Sequence, residues 1–264
     1  MRLESKDYRI ALLIDADNSP ASKIEAILGE LSKYGTINVR RAYGNWKKAE
    51  LKAWEEQLHE FAIRPMQQFD YSRGKNASDM AMIIDAMELL YTDDPHAFAI
   101  VSSDADFTPL VMHLKSKGAA VFGFGQKKSP EPFQRACSTF LFVENLGNES
   151  VQLKNNDSSV APAFETETLQ PVPSGKLRMD TRLVKLLRSA VQSAANEDGW
   201  AMLGTVGNHI SNQASFDPRN YGYDRLGEIF EATQLFESKR ITTVMYVRDI
   251  RFGKTKPVLS PPSI

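Results

Sequence analysis

The chain has 264 residues, 42% of them hydrophobic and 25% charged, with a formal net charge of -1. That composition describes a soluble globular protein with room for two domains. No apolar stretch approaches the roughly 20 residues that span a bilayer, and the charged start from Met1 to Arg9 has no hydrophobic signal core behind it. No membrane role and a cytoplasmic location are therefore expected. Cys137 is the sole cysteine, which excludes an internal disulfide and argues against a thiolate zinc site.

Taken in chain order, the apolar run Ile10 to Ile14 predicts a buried strand that ends in Asp15-Ala16-Asp17-Asn18. Ser19 then Pro20 open a helix to Tyr34, stopped at Gly35. A strand at Ile37 to Tyr43, a helix at Lys47 to Phe61 and a strand at Ile63 to Phe69 follow. The segment Asp70 to Asn76 has no apolar spacing, and Arg73 and Lys75 make it a candidate substrate-facing loop. Asp79 opens a helix from Ala77 to Tyr91. The strand Phe98 to Ser102 leads into Asp104-Ala105-Asp106 and a helix from Phe107 to Lys117, stopped at Gly118. Two further strands, Ala119 to Phe124 and Phe140 to Val143, flank a short helix near Glu131 to Ala136. This alternation argues for a Rossmann-like α/β domain, a parallel sheet covered on both faces.

The pattern breaks after residue 145. Asn- and Ser-rich sequence runs into Pro162, Pro171, Pro173 and Gly175, which reads as a flexible linker spanning roughly 30 Å. From Leu177 the pattern turns helical again, with Leu183, Leu186, Leu187, Ala190, Val191 and Ala194 spaced for one buried face. Further helices are expected at Met202 to Asn212 and Tyr223 to Thr233. Two β-prone runs, Leu235 to Glu237 and Thr243 to Val247, are separated by Ser238-Lys239-Arg240. Three helices and a terminal hairpin suggest a small winged helix-turn-helix. Its expected core is Trp200, Leu203, Val206, Ile210, Phe216, Leu226, Ile229 and Phe230. The expected divisions are a first domain over 8–146, a linker over 147–175, a second domain over 176–252 and a tail over 253–264. Residues 176–264 hold 13 Lys+Arg against 9 Asp+Glu, a mild excess that permits nucleic-acid contact without requiring it.

A single Asp at a strand end is as readily a helix cap as a ligand. Several together mean more. If the strands at Ile10 and Phe98 are neighbours across the switch point of a doubly wound sheet, Asp15 and Asp104 face one another there. Asp17 and Asp106 then line the same crevice, and Asp79 joins from its helix. Carboxylates forced together repel unless a divalent cation neutralises them, and an all-oxygen set selects Mg2+ or Mn2+. Such a site suits phosphodiester hydrolysis. Asp85, six positions after Asp79, belongs to another helix face and is left out. Lys75, just before the helix of Asp79, could hold a phosphate, with a solvated surface lysine the stronger reading. Trp46 and Trp54, with Arg40, Arg41, Lys47 and Lys48 nearby, could flank a nucleic-acid channel by stacking and charge; since Trp54 lies within a helix pattern and is expected to pack, Trp46 is the candidate for stacking on a base. In the second domain His209, Asn212, Arg219, Tyr223, Arg225, Lys239 and Arg240 are the polar candidates for RNA contact, with solvated charge an equally good reading of each. His59, His96 and His113 lack ligand spacing.

Residues 8 to about 146 resemble a NYN domain, of the PIN-like nuclease superfamily, through DADN at Asp15, KNASD from Lys75 and SSDADF from Ser102, in that order. The resemblance implies a metal-dependent ribonuclease, with Asp15, Asn18, Asp79, Asp104 and Asp106 at the family's acidic site; Asp17 occupies a variable position of the pattern. The last third resembles an OST-HTH, or LOTUS, domain through GWAMLGTVGNHI from Gly199, Phe216-Asp217-Pro218, YGYDRL from Tyr221 and LFE from Leu235. That order implies RNA processing, with RNA or a protein partner recruited by the second domain. Two alternatives stand beside it. A strand ending in Asp-x-Asp is also the nucleophile motif of haloacid-dehalogenase-like phosphatases, although Ser19 stands where that family has Thr or Val. A non-catalytic RNA- or protein-binding adaptor is the other.

Overall fold

In the computed structural model residues 8–69, 76–147 and 170–252 are described. The chain divides into two units, residues 1–169 and 170–264.

Strand β1 (Tyr8–Asp15) is buried from Ile10 onward. It lies between β2 (Gly35–Gly44) and β4 (Ala97–Val101), with β3 (Arg64–Gln67) beyond β2, and β5 (Ala120–Gly125) and β6 (Thr139–Phe142) beyond β4. All five pairings are parallel and the order is β3-β2-β1-β4-β5-β6. Helices α1 (Ile24–Leu31), α2 (Trp54–Glu60), α3 (Ala77–Thr92), α4 (Thr108–Ser116) and α5 (Glu131–Ala136) make the crossovers. A central strand covered on both faces alternates its side chains between two cores. Ile10, Leu12 and Ile14 pack with Ile24, Ile27, Leu31 and Trp54. Ala11 and Leu13 pack with Met82, Ala86, Leu89, Leu110 and Leu114. Each fully buried Leu or Ile contributes about 1.5–3 kcal/mol, so two such layers hold β1 firmly. The strand order reverses between β1 and β4, the place where open α/β sheets bind ligands.

Asp85 is not a ligand of the acidic site. From α3 it accepts hydrogen bonds from Arg41 and from the hydroxyl of Tyr43, both on β2. Burial and the neighbouring Asp85 raise the Tyr43 hydroxyl's pKa.

The second unit contains α6 (Ser174–Met179), α7 (Thr181–Ala194), β7 (Ala201–Met202), α8 (Leu203–Gln213), α9 (Leu226–Thr233), β8 (Phe236–Ile241) and β9 (Val244–Asp249). The sheet order is β7-β9-β8, antiparallel, so a third short strand joins the expected hairpin. Four corrections to the sequence reading follow. The first helix is interrupted at Asp180, whose Oδ1 accepts from the N–H groups of Arg182 and Leu183 and so starts a new helix. Residues 170–175 do not belong to a linker: Val172 packs on this core, its N–H donates to Tyr221 O at 3.0 Å, and its carbonyl accepts from Tyr223 Oη at 2.8 Å. The run Ser238-Lys239-Arg240 lies inside β8, and the reversal falls at Thr242, which has φ +56°. Finally, Val206, Ile210, Ile229 and Phe230 are buried as expected, and Leu203, Phe216 and Leu226 pack against them, but Trp200 is outside this core.

Candidate active site

Two local sequences solve the same problem at the carboxyl ends of β1 and β4. Each strand breaks into a short 3-10 turn, at Ala16–Asn18 and Ala105–Phe107, and each turn needs an acceptor for its first free N–H groups. Asp15 supplies one, its Oδ1 accepting from Asn18 N at 3.2 Å; Asp104 supplies the other, its Oδ1 accepting from Asp106 N at 3.0 Å. Each Asp thus caps the turn that follows it. β1 and β4 pair directly, with Ile14 opposite Val101, so the two turns open side by side.

Asp15 is 1% exposed. Burial raises its pKa, and hydrogen bonds from Ser102 and Asn18 oppose the rise. Ser102 Oγ donates to Asp15 Oδ2 at 2.7 Å and accepts from Asp104 N at 3.1 Å, joining the two strand ends through one hydroxyl. Asn18 Nδ2 also donates to Asp15 Oδ2, at 3.0 Å. Asp79, in the first turn of α3, is where the fields of the acids converge. Its pKa is pushed up to about 6 by burial first, and then by Asp15, Asp104, Asp106 and Asp17. Asp106 is exposed and accepts from Asn76 Nδ2 at 3.0 Å. Asp17 is held by Lys48 Nζ at 3.2 Å and Ser78 Oγ at 3.0 Å.

The structure thus brings Asp15, Asn18, Asp17, Asp79, Asp104 and Asp106 to one crevice. Ser102, Ser78, Asn76 and Lys48 hold or neutralise them, and sequence reasoning missed these partners. Ser102 and Ser78 stand inside the quoted motifs, so adjacency was their only signal; Lys48 read only as a basic neighbour of Trp46, and its pairing with Asp17, 31 residues away, had no signal. Among the described residues no three His, Cys, Asp or Glu side chains form a ready ligand set for a metal ion. Arg73 and Lys75 lie outside the described residues. Trp46 is half-buried and packs against the core, less available for stacking than its loop position suggested. Trp54 is buried.

In the second unit Tyr223 and Arg219 are engaged internally, Tyr223 with Val172 and Arg219 in an ion pair with Asp217 at 2.8 Å. Arg225 is exposed at the start of α9, whose Glu228 Oε2 accepts from Arg225 N at 3.3 Å. Asn212 and Lys239 are exposed and His209 is half-buried.

The model of the NYN domain matches residues 9–144, over half of the chain and all six strands of the larger sheet. The chain belongs to the NYN family. The NYN domain is a nuclease-type, PIN-like domain, and an OST-HTH/LOTUS domain, of a kind associated with RNA binding, follows at residues 178–247. An uncharacterized protein of Methanocaldococcus jannaschii is 30% identical over 153 residues, a match covering 56% of this chain and 59% of that relative. A crystal structure of a Vibrio parahaemolyticus protein of unknown function superposes with TM-score 0.43 at 18% identity, covering 54% of this chain and 96% of that one. No helix among the described residues is long and apolar enough to cross a membrane.

The pKa of Asp79 gives a pH dependence with a definite sign. Its ordinary value is 3.8 and its folded value about 6. Below 3.8 the carboxyl is protonated in both states; as pH rises through about 6 the fold must hold a further negative charge among carboxylates, and that contribution to stability is lost. In chelator, the melting temperature should therefore fall across this window in the parent chain and fall less in Asp79→Asn. Calorimetric scans in which both proteins show one and the same pH slope would remove Asp79 as the group responsible.

Proposed function

We propose that this NYN protein is a metal-dependent ribonuclease that hydrolyses RNA phosphodiester bonds, with the LOTUS domain recruiting RNA. The convergence of Asp15, Asp17, Asp104 and Asp106 on Asp79 carries the reading, since a fold that needed only caps would not add a buried acid to that field. The donors are all oxygen, which fits a hard cation that keeps several waters and so needs no closed cage of side chains. Asp15, Asp79, Asp104 and Asp106 would hold Mg2+ or Mn2+, with Asp17 in a lesser part. Such a cation supplies charge neutralisation on the attacking and leaving oxygens.

The remaining work falls to the chain. Ser102 and Asn18 fix the Asp15 carboxylate by three hydrogen bonds, so its lone pairs are aimed before substrate arrives. Asp106 and Asn18 are exposed, so they would form the substrate side, where Asp106 would orient a water by accepting a hydrogen bond from it. Lys48 balances Asp17 and limits repulsion of the incoming phosphate.

The phosphatase alternative is less favoured, because the family model that matches residues 9–144 is that of the NYN domain. The adaptor alternative draws on the Lys48–Asp17 pair, which partly neutralises the crevice without metal. One assay separates it from the nuclease. The purified 264-residue chain should cut single-stranded or structured RNA with Mg2+ or Mn2+ and stop in chelator; intact RNA under every metal condition would leave the adaptor.

A further inference from the structure

Strand β9 carries an outward row of side chains that no core uses. In an antiparallel sheet, residues directly opposite one another share a face. Tyr246 lies opposite Met202 on one side and Lys239 on the other, and Arg248 lies opposite Glu237. Val247, between Tyr246 and Arg248, is buried, so Tyr246 and Arg248 point away from the core. At the hairpin end Val244 pairs with Ile241 on the same outer face. The face is partly apolar and open: Met202 is 42%, Ile241 53% and Val244 37% exposed.

Trp200 borders this row. Asn196 forms the turn that places it, accepting from Trp200 N through its side chain and donating its own N–H to the Trp200 carbonyl. Gly199, at φ +79°, makes the reversal that an L side chain would strain, and an added Cβ would strike the Phe252 ring at 2.5 Å. The indole then holds two cations, Lys239 Nζ at 4.0 Å from the ring centroid and the Arg248 guanidinium at 4.6 Å. Arg248 also pairs with Glu237, Nε to Oε2 at 3.1 Å. Lys239 makes no ion pair among the described residues, so a positive charge stands beside Tyr246, held in place by an aromatic ring.

We propose that the outer face of β7, β9 and β8 binds single-stranded RNA, a base stacking on Tyr246 and the neighbouring Met202 and Ile241 while Lys239 and Arg248 take the flanking phosphates. This rests on the reading of the LOTUS domain as the RNA-recruiting part of the chain and gives that reading a surface. Unpaired bases have the apolar faces that Met202, Tyr246 and Ile241 require; a duplex buries those faces and offers phosphates and groove edges alone. The ring-held cations give the charge complementarity to a phosphate backbone. Arg240 has no part in it, because it sits opposite Met245 and so leaves β8 on the other face.

The test uses the full chain in chelator, so that RNA stays uncut, with fluorescence anisotropy on single-stranded and duplex oligoribonucleotides at two salt concentrations. Parent protein should prefer the single strand. Tyr246→Ala should weaken it about tenfold with the salt slope unchanged, and Tyr246→Phe should restore it. Lys239→Gln, at an exposed position, should lower both the affinity and the salt slope, the slope by about one, whereas Arg240→Gln should bind like the parent. If Tyr246→Ala and Lys239→Gln both bind like the parent, this face is overturned while RNA recruitment stands. Equal or tighter duplex binding overturns the single-strand assignment. A parent chain that binds no RNA at low salt overturns the face and the RNA reading of the domain together.

Discussion

Asp104→Asn is expected to lower RNA cleavage by about a hundredfold or more while leaving the protein folded. The reason lies in the two roles the side chain plays. As a cap it accepts one hydrogen bond, from Asp106 N to Oδ1, and an asparagine carbonyl oxygen serves that purpose equally well. As a member of the acidic site it supplies charge, which the substitution removes. It also removes one of the carboxylates that raise the pKa of Asp79, so the melting temperature in chelator should hold or rise. Asp15→Asn is a less clean version, because both its oxygens accept bonds and an amide group would meet the donors Asn18 Nδ2 and Ser102 Oγ. Cleavage of RNA by purified Asp104→Asn at the parental rate, with chelator without effect, would remove the metal-nuclease proposal.

Asp85→Ala should produce the largest loss of stability, about 3 kcal/mol, at the lower end of what breaking a buried ion pair costs. The lower end applies because the Arg41 side chain is 22% exposed and that of Asp85 11%, so water relieves part of the stranded charge. The Tyr43 hydroxyl loses its acceptor in the same step. Replacing Arg41 with Met and Asp85 with Leu together should recover much of the loss, since the penalty comes from the unpaired partner rather than from the missing pair. Urea unfolding would measure both, with an unchanged slope showing that two-state behaviour persists. A loss below about 1 kcal/mol in Asp85→Ala would place the pair with ordinary surface ion pairs. Activity should survive in the folded fraction, because Asp85 faces β2 and not the crevice.

Much of the larger domain was legible in the sequence for a physical reason: strands buried on both faces must be apolar at successive positions, as at Ile10 to Ile14 and Phe98 to Ile100. Aspartates directly after such runs then stand at strand ends whatever the details of the turn. The smaller domain was less legible. Trp200 has helical spacing to Leu203 and Val206 and read as core, yet the turn at Asn196 and Gly199 swings it onto the outer face of a sheet. Lys239 and Arg240 read as one basic patch in a turn, but inside a strand neighbouring residues point to opposite faces, and the patch divides.

In the larger domain the sequence by itself determined the strand and helix order, the position of each acid at a strand or helix end, and the chemistry those acids permit, because periodicity and capping are local. Tertiary structure alone decided which side chains meet. Ser102 reaches Asp15 across 87 residues of chain, Lys48 reaches Asp17 across 31, and Arg41 and Tyr43 find Asp85 rather than the site. Contacts of that kind depend on strand order, register and side-chain direction. Those are settled only when β1, β2 and β4 pair, and α3 packs across β1 and β2 to bring Asp79 toward the crevice and turn Asp85 away from it.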